Sequence, residues 1–219
     1  MIRHGRCLTT LARVFDEPFV LIRDFFDWDD AYTTFLRKKC SAGNRVSIFN
    51  AGEGGRHQYR LGLMNFKLCP QIAQLIATTE TFCKLAFPEH HPRDWVVLES
   101  KKNCCEQDRH TDYSRKDVEA SISQYGMQCC PFSVLLCFTD GMVLPIWRST
   151  TAQREIQHLN RGDMMIFKGT TIHAGGEYPV GHFGRFHFYL DHPLVAREFD
   201  STDKVDELDK ADDSDSKTL

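Results

Sequence analysis

Gln107-Asp108-Arg109-His110-Thr111-Asp112-Tyr113 is the stretch on which the reading of this chain turns. In an extended backbone, residues two apart project to the same face. His110 and Asp112 therefore point together, with Thr111 turned away. An imidazole beside a carboxylate is the local half of a two-histidine, one-carboxylate facial triad, which leaves neighbouring coordination positions open on a divalent metal. The third ligand has to come from elsewhere in the sheet. His173 is the best candidate, in Phe167-Lys168-Gly169-Thr170-Thr171-Ile172-His173-Ala174-Gly175-Gly176. The small residues after it let backbone approach a crowded site closely. Taken singly, the HxD triplet and the histidine beside glycines each carry little weight.

A further segment adds weight. Arg185-Phe186-His187-Phe188-Tyr189-Leu190 alternates cleanly, with Arg185, His187 and Tyr189 on one face and Phe186, Phe188 and Leu190 on the other. An arginine on the inner face of a β-barrel strand costs several kcal/mol unless it meets an anion. A dicarboxylate would supply one, through parallel charge-assisted hydrogen bonds. The same alternation also fits an outward arginine with the phenylalanines packed inside.

Outward from these segments, short β-prone runs alternate with turn residues: Trp95 to Glu99, Phe132 to Thr139, Met142 to Trp147, Glu155 to Leu159 and Met164 to Phe167. Asp140-Gly141 and Asn160-Arg161-Gly162-Asp163 are turn signals between them. Closely spaced strands without intervening helices predict an antiparallel sandwich or barrel. Before Asp94 the texture is helical. Phe19 to Ile22 reads as a strand, Asp27 could cap a helix from Trp28 to about Cys40, and another helix runs from about Pro70 to Phe87. Ile72, Leu75, Ile76, Thr79, Cys83 and Ala86 would be its apolar face. His90 and His91, in the loop after it, read as solvated.

Composition sets the outer bounds. The 219 residues allow one sizeable domain, and 42% hydrophobic with 26% charged residues is ordinary for a globular chain. A net charge of -3 gives no argument for a nucleic-acid partner, and no apolar run reaches membrane-span length. The nine cysteines are odd in number, lack a CxxC pair, and include the adjacent pairs Cys104-Cys105 and Cys129-Cys130. Adjacent cysteines are awkward disulfide partners, so reduced thiols in a reducing, cytoplasmic setting are expected. Arg3, Arg6 and Arg13 in an acid-poor N-terminus leave a mitochondrial leader as the other reading.

The stretch from Trp95 to Leu190 resembles the Fe(II)/2-oxoglutarate-dependent dioxygenase superfamily, especially its phytanoyl- and prolyl-hydroxylase-like branches. The resemblance rests on His110 and Asp112, the distal His173 and the Arg185 after it, all in order and at the family's spacing. Gln107 before the HxD and Leu159 to Phe167 before the distal histidine support it. The resemblance implies an α+β chain with a mainly β core, a double-stranded β-helix of the jelly-roll or cupin-like kind, with N-terminal flanking helices. It implies residues 1–16 as an extension, one oxygenase domain over 17–197 (helical support 17–93, metal-binding core 94–197) and an acidic, disordered tail over 198–219. His110, Asp112 and His173 would be the catalytic iron ligands, and Arg185 would bind the cosubstrate. The reaction would use Fe(II), 2-oxoglutarate and O2. It would give succinate and carbon dioxide while hydroxylating or oxidatively demethylating a small-molecule or peptide substrate.

The sequence departs from this pattern in two places. Many relatives carry Pro-Gly-Ser-His where Trp147-Arg148-Ser149-Thr150 stands, and a serine two residues after the arginine where His187 stands. The alternatives are a non-catalytic ligand- or partner-binding domain of the same fold and a metal-dependent cupin, though cupins more often use three histidines. Arg109, Tyr113, Arg115, Trp147, Arg148 and Arg154 lie near the expected site. Such arginines favour an acidic substrate, unless they form only a solvated rim.

Overall fold

Phe132-Ser133-Val134-Leu135-Leu136-Cys137 is buried along its whole length. A strand manages that only when both faces of its sheet are covered, and this requirement organises the chain. A computed structural model describes residues 13–30, 33–34, 36, 46–47, 56–60, 70–195 and 203–204. In chain order the elements are β1 (Phe19–Ile22), β2 (Val46–Ser47), β3 (Arg56–Arg60), α1 (Pro70–Ala86), β4 (His91–Ser100), β5 (His110–Thr111), α2 (Arg115–Tyr125), β6 (Phe132–Cys137), β7 (Met142–Trp147), β8 (Arg154–Leu159), β9 (Met164–Lys168), β10 (Ile172–His173), β11 (Phe183–Asp191) and β12 (Asp203–Lys204).

The strands form two antiparallel sheets. One has seven strands in the order β1-β9-β6-β11-β4-β3-β2, the other five in the order β12-β5-β10-β7-β8. This is the mainly β, double-stranded β-helix architecture expected from the sequence. The pleat sorts side chains into two cores. Leu135 and Cys137 of β6 and Met165 and Phe167 of β9 meet Leu144 and Ile146 of β7 between the sheets. Phe132, Val134 and Leu136 point the other way, with Phe186, Phe188 and Leu190 of β11, onto Leu75, Phe82 and Cys83 of α1. Trp95 stacks on Phe188 at 3.9 Å and Trp28 on Phe186 at 6.0 Å. Each such aromatic contributes about 1.5–3 kcal/mol by leaving water.

The expected apolar face of α1 is the observed one, with Ile72, Leu75, Thr79 and Cys83 buried. Several features differ from the sequence reading. A helix, α2, stands between β5 and β6 where only strands were expected. It is capped by the Ser114 hydroxyl accepting from Asp117 N, and it buries only Val118, with Ile122 packed partly buried beside it. Its polar composition hid it. His90 is not solvated: it is 4% exposed, and its Nε2 lies 2.9 Å from the Cys130 carbonyl. Packing also begins ahead of Glu17, because Val14 is buried and Phe15 meets the rings of Phe87 and Phe132. Of the helix expected over Trp28 to Cys40, Trp28 and Asp29 are not helical, Asp30, Thr33, Thr34 and Leu36 are, and residues 31, 32, 35 and 37–40 lie outside the described residues. Of the tail expected over 198–219, only Asp203 and Lys204 are described, and they pair with Thr111 and His110 of β5.

The six described cysteines are all free thiols. Burial pushes Cys130 and Cys137 up to about 12, so they remain protonated and behave as small apolar groups. Among the described residues no helix is long and apolar enough to cross a membrane.

One turn shows how closely the layers meet. In Asn160-Arg161-Gly162-Asp163, Gly162 has φ +91°, and a Cβ there would lie 2.4 Å from the Phe26 carbonyl oxygen. Asp163, 2% exposed, accepts from Asn160 N at 2.8 Å and from the Arg23 guanidinium at 2.6 Å. The turn thus ties β8 and β9 to the segment after β1.

Candidate metal centre

His110 and His173 are direct Cα partners across β5 and β10. The sheet therefore brings together residues that are far apart in the sequence, with ring centroids 4.4 Å apart. Asp112 follows β5 immediately. One ligand atom from each of the three residues lies within 4.8 Å of the others, and all three residues are buried. Such a cluster of one carboxylate oxygen and two imidazole nitrogens suits a divalent transition metal.

Local hydrogen bonds aim these groups. His110 Nδ1 lies 2.8 Å from the Asp108 carbonyl, and His173 Nδ1 lies 3.0 Å from the Thr171 carbonyl. In both cases Nδ1–H donates to the backbone two residues upstream, which puts the ring's lone pair on Nε2. Burial pushes the His173 imidazole below its ordinary value, against the pull of Asp112, and so favours the neutral ring that can ligate. Burial alone would raise the Asp112 carboxyl. The imidazoles of His173, His187 and His110 outweigh it and hold the carboxyl well below the usual carboxylate range.

Backbone contacts fix the two loops. The Gly169 carbonyl accepts from both Asp112 N and Tyr113 N, each at 3.1 Å. A Cβ on Gly169 would fall 2.1 Å from the Tyr113 ring. Gln107 locks the other side: its N–H donates to the Gly175 carbonyl at 2.9 Å, and its side-chain oxygen accepts from Gly175 N at 2.8 Å. Gly176 brings its Cα against β7, where a Cβ would sit 2.8 Å from the Val143 carbonyl oxygen.

Arg185 and His187 lie on the inner face of β11, since Phe186, Phe188 and Leu190 occupy the core on the other side. The phenylalanines are packed inside and the arginine is buried as well, because β11 is covered on both faces. Arg185 is 5% exposed. Its Nη1 donates to Ser100 Oγ at 3.2 Å, while its Nε is buried without a hydrogen-bond partner among the described residues. His187 Nε2 is in the same condition, 3.6 Å from Asp112 Oδ2.

Two contributors escaped the sequence reading. Ser133 donates its hydroxyl to Asp112 Oδ2 at 2.6 Å, and Ser100 holds Arg185. Ser133 had a signal in the sequence: it is the one hydroxyl in the otherwise apolar strand β6. Ser100, at the end of β4, had none. The rim arginines are largely paired, in keeping with a solvated charged rim. Arg148 pairs with Glu155 and Glu17, Arg154 with Glu106, and Arg115 with Glu119. Arg109 lies over the Trp147 ring at 5.9 Å. Tyr113 is buried and donates to Asp191. Paired arginines no longer argue for an acidic substrate.

No family model matches the chain, and no curated protein matches it in sequence. Solved structures do match it in fold. A 2OG-Fe(II) oxygenase family oxidoreductase from Burkholderia pseudomallei aligns at TM-score 0.61 and 12% identity, over 90% of this chain and 95% of that one. HygX from Streptomyces hygroscopicus, solved with nickel and 2-oxoglutarate bound, aligns at TM-score 0.63 and 14% identity, over 88% and 91%. A Pseudomonas putida prolyl-4-hydroxylase aligns at 0.61 and 13%, over 84% and 98%. At such identities the likeness is one of architecture, and it spans nearly the whole of each chain: the fold of this protein is the double-stranded β-helix of the 2OG-Fe(II) oxygenases.

Proposed function

We propose that this chain is an Fe(II)/2-oxoglutarate-dependent dioxygenase. His110, Asp112 and His173 would hold the iron, and Arg185 would take the far carboxylate of 2-oxoglutarate. The observation that carries this reading beyond a generic metal site is the Nε of Arg185, buried and without a hydrogen-bond partner on the strand face that also bears His187 beside Asp112. A buried guanidinium with an unmet donor is costly, and a carboxylate that accepts from it relieves the cost. The triad fits the metal on the donor set and on the two aimed Nε2 lone pairs. When bound, iron would supply the redox chemistry that lets O2 react with a closed-shell organic molecule while 2-oxoglutarate becomes succinate and carbon dioxide.

The residues of the chain have their own tasks. The His173 imidazole stays neutral, both imidazoles stay oriented through Nδ1, Asp112 stays ionised, and the apolar inter-sheet core keeps bulk water from one side of the site. The substrate is a small molecule or a peptide, which the protein would hydroxylate or oxidatively demethylate.

The test is succinate release from 2-oxoglutarate by the purified full chain with Fe(II), ascorbate and O2. Turnover is expected in the wild type and its loss in His173→Ala. Retained turnover in that variant sinks the triad assignment. A protein that binds no divalent metal and whose unfolding temperature ignores 2-oxoglutarate is instead a non-catalytic binding domain.

A further inference from the structure

His187 stands where a small hydroxyl residue was expected, and nothing so far accounts for it. We infer that His187 is a positioning residue which, with Ser133, grips the non-ligating oxygen of Asp112 and so presents the other oxygen to the metal; this rests on the metal site proposed above.

The two carboxylate oxygens of Asp112 sit in different surroundings. Oδ1 lies 3.7 Å from His173 Nε2, within the ligand cluster. Oδ2 accepts the Ser133 hydroxyl at 2.6 Å and lies 3.6 Å from His187 Nε2. Ser133 and His187 belong to adjacent strands of the seven-stranded sheet. In the β6–β11 register Ser133 pairs with Tyr189 and Leu135 with His187, so the two side chains are diagonal neighbours on one face. Asp112 directly follows β5, a strand of the opposite sheet. The pair therefore reaches across the inter-sheet gap to a single oxygen.

His187 is 8% exposed, and its Nε2 is buried without a partner at hydrogen-bond distance among the described residues. A buried ring nitrogen with no partner is expensive to keep unless a nearby group closes on it. Asp112 Oδ2 is the acceptor at hand, and a shift of about half an ångström, ordinary for hydrogen bonds that tighten when a site fills, brings Nε2–H into donating range. An oxygen held by two donors is a poor ligand, so the carboxylate would ligate through Oδ1 alone. Outer donors of this kind are typically worth about 10–100-fold in metal affinity.

The competing role for His187, as a second donor to the far carboxylate of 2-oxoglutarate beside Arg185, makes a different prediction. Mn(II) affinity of the full chain is measured by calorimetry for the wild type, Ser133→Ala, His187→Leu and His187→Gln. 2-Oxoglutarate affinity is then measured at saturating Mn(II). His187→Leu is expected to weaken Mn(II) about 10-fold or more. His187→Gln, which keeps an N–H donor, should recover most of it. Ser133→Ala should weaken Mn(II) in the same direction, while 2-oxoglutarate affinity at saturating metal stays within about 3-fold (under 1 kcal/mol).

Unchanged Mn(II) affinity in His187→Leu overturns the inference. So does a fall in 2-oxoglutarate affinity that exceeds the fall in metal affinity. If His187→Leu does not fold, His187→Gln and Ser133→Ala decide: a loss of about 10-fold or more in the Gln variant, or none in the Ala variant, overturns it. A wild type that binds no Mn(II) overturns the metal site itself, and the inference with it.

Discussion

The two sheets meet the same need for order by different means. In the seven-stranded sheet, β4 and β11 run for ten and nine residues and are held by long ladders and aromatic cores. In the five-stranded sheet, β5 and β10 have two residues each, yet they carry His110 and His173. Two-residue strands have almost no ladder to hold them. Their precision comes from Gly169 and Gln107 at the loops and from Ser133 reaching over from the longer sheet. The comparison teaches that stability and ligand geometry reside in different parts of this molecule, so substitutions should separate them.

The largest effect on folding is expected in the long sheet. Phe188→Ala removes a fully buried ring that stacks on Trp95 and should cost about 3–5 kcal/mol, read as a lower unfolding temperature and denaturant midpoint. If it instead spares stability and abolishes metal binding, the division of labour is wrong. Gly169→Ala should show the opposite pattern. The new methyl meets the Tyr113 ring and forces that segment away from Asp112, so overpacking costs about 1–3 kcal/mol. Mn(II) affinity should fall by a larger factor than that loss predicts for the fold alone.

Arg185→Met sharpens the comparison further, because here the two properties should move in opposite directions. An apolar side chain of similar length removes the unmet Nε donor. It should stabilise the ligand-free protein by about 1–2 kcal/mol, the lower part of the range seen when buried charges are replaced. 2-Oxoglutarate binding should weaken at least tenfold, measured by titration at saturating metal. A destabilised Arg185→Met would mean that the arginine serves the fold rather than an anion. Smallest of all, Gln107→Ala loses one side-chain bond to Gly175 N. It should cost about 0.5–1.5 kcal/mol, with a modest drop in metal affinity.

The legible part of the sequence was the part governed by periodicity. The β-prone apolar run of Phe132 to Cys137 gave a strand, alternation in Arg185 to Leu190 gave a strand and its two faces, and the 3.6-residue spacing of Ile72, Leu75, Thr79 and Cys83 gave α1 and its buried side. His110, Asp112 and His173 could be named because two-residue spacing and glycine context are local signals. What stayed hidden was set by distant contacts. Arg115 to Tyr125 has one buried residue and so no apolar stripe to betray it. His90 looked solvated because nothing nearby in sequence reveals the Cys130 carbonyl it meets. Arg148 and Arg154 looked available for a substrate because Glu155, Glu17 and Glu106 reach them only in the folded chain.

The anchoring of His110 and His173 through Nδ1 carries a thermodynamic consequence for the proposed metal site. With those nitrogens committed to backbone carbonyls, two imidazole lone pairs and an anionic oxygen face one small volume. They repel one another, and the surrounding fold supplies the work that keeps them there. A cation entering that volume turns repulsion into attraction, so the unfolding equilibrium becomes a function of metal activity, growing with the logarithm of free metal above the dissociation constant. If the proposed site binds metal, the supply of metal would set the folded fraction of this chain as well as its readiness to react.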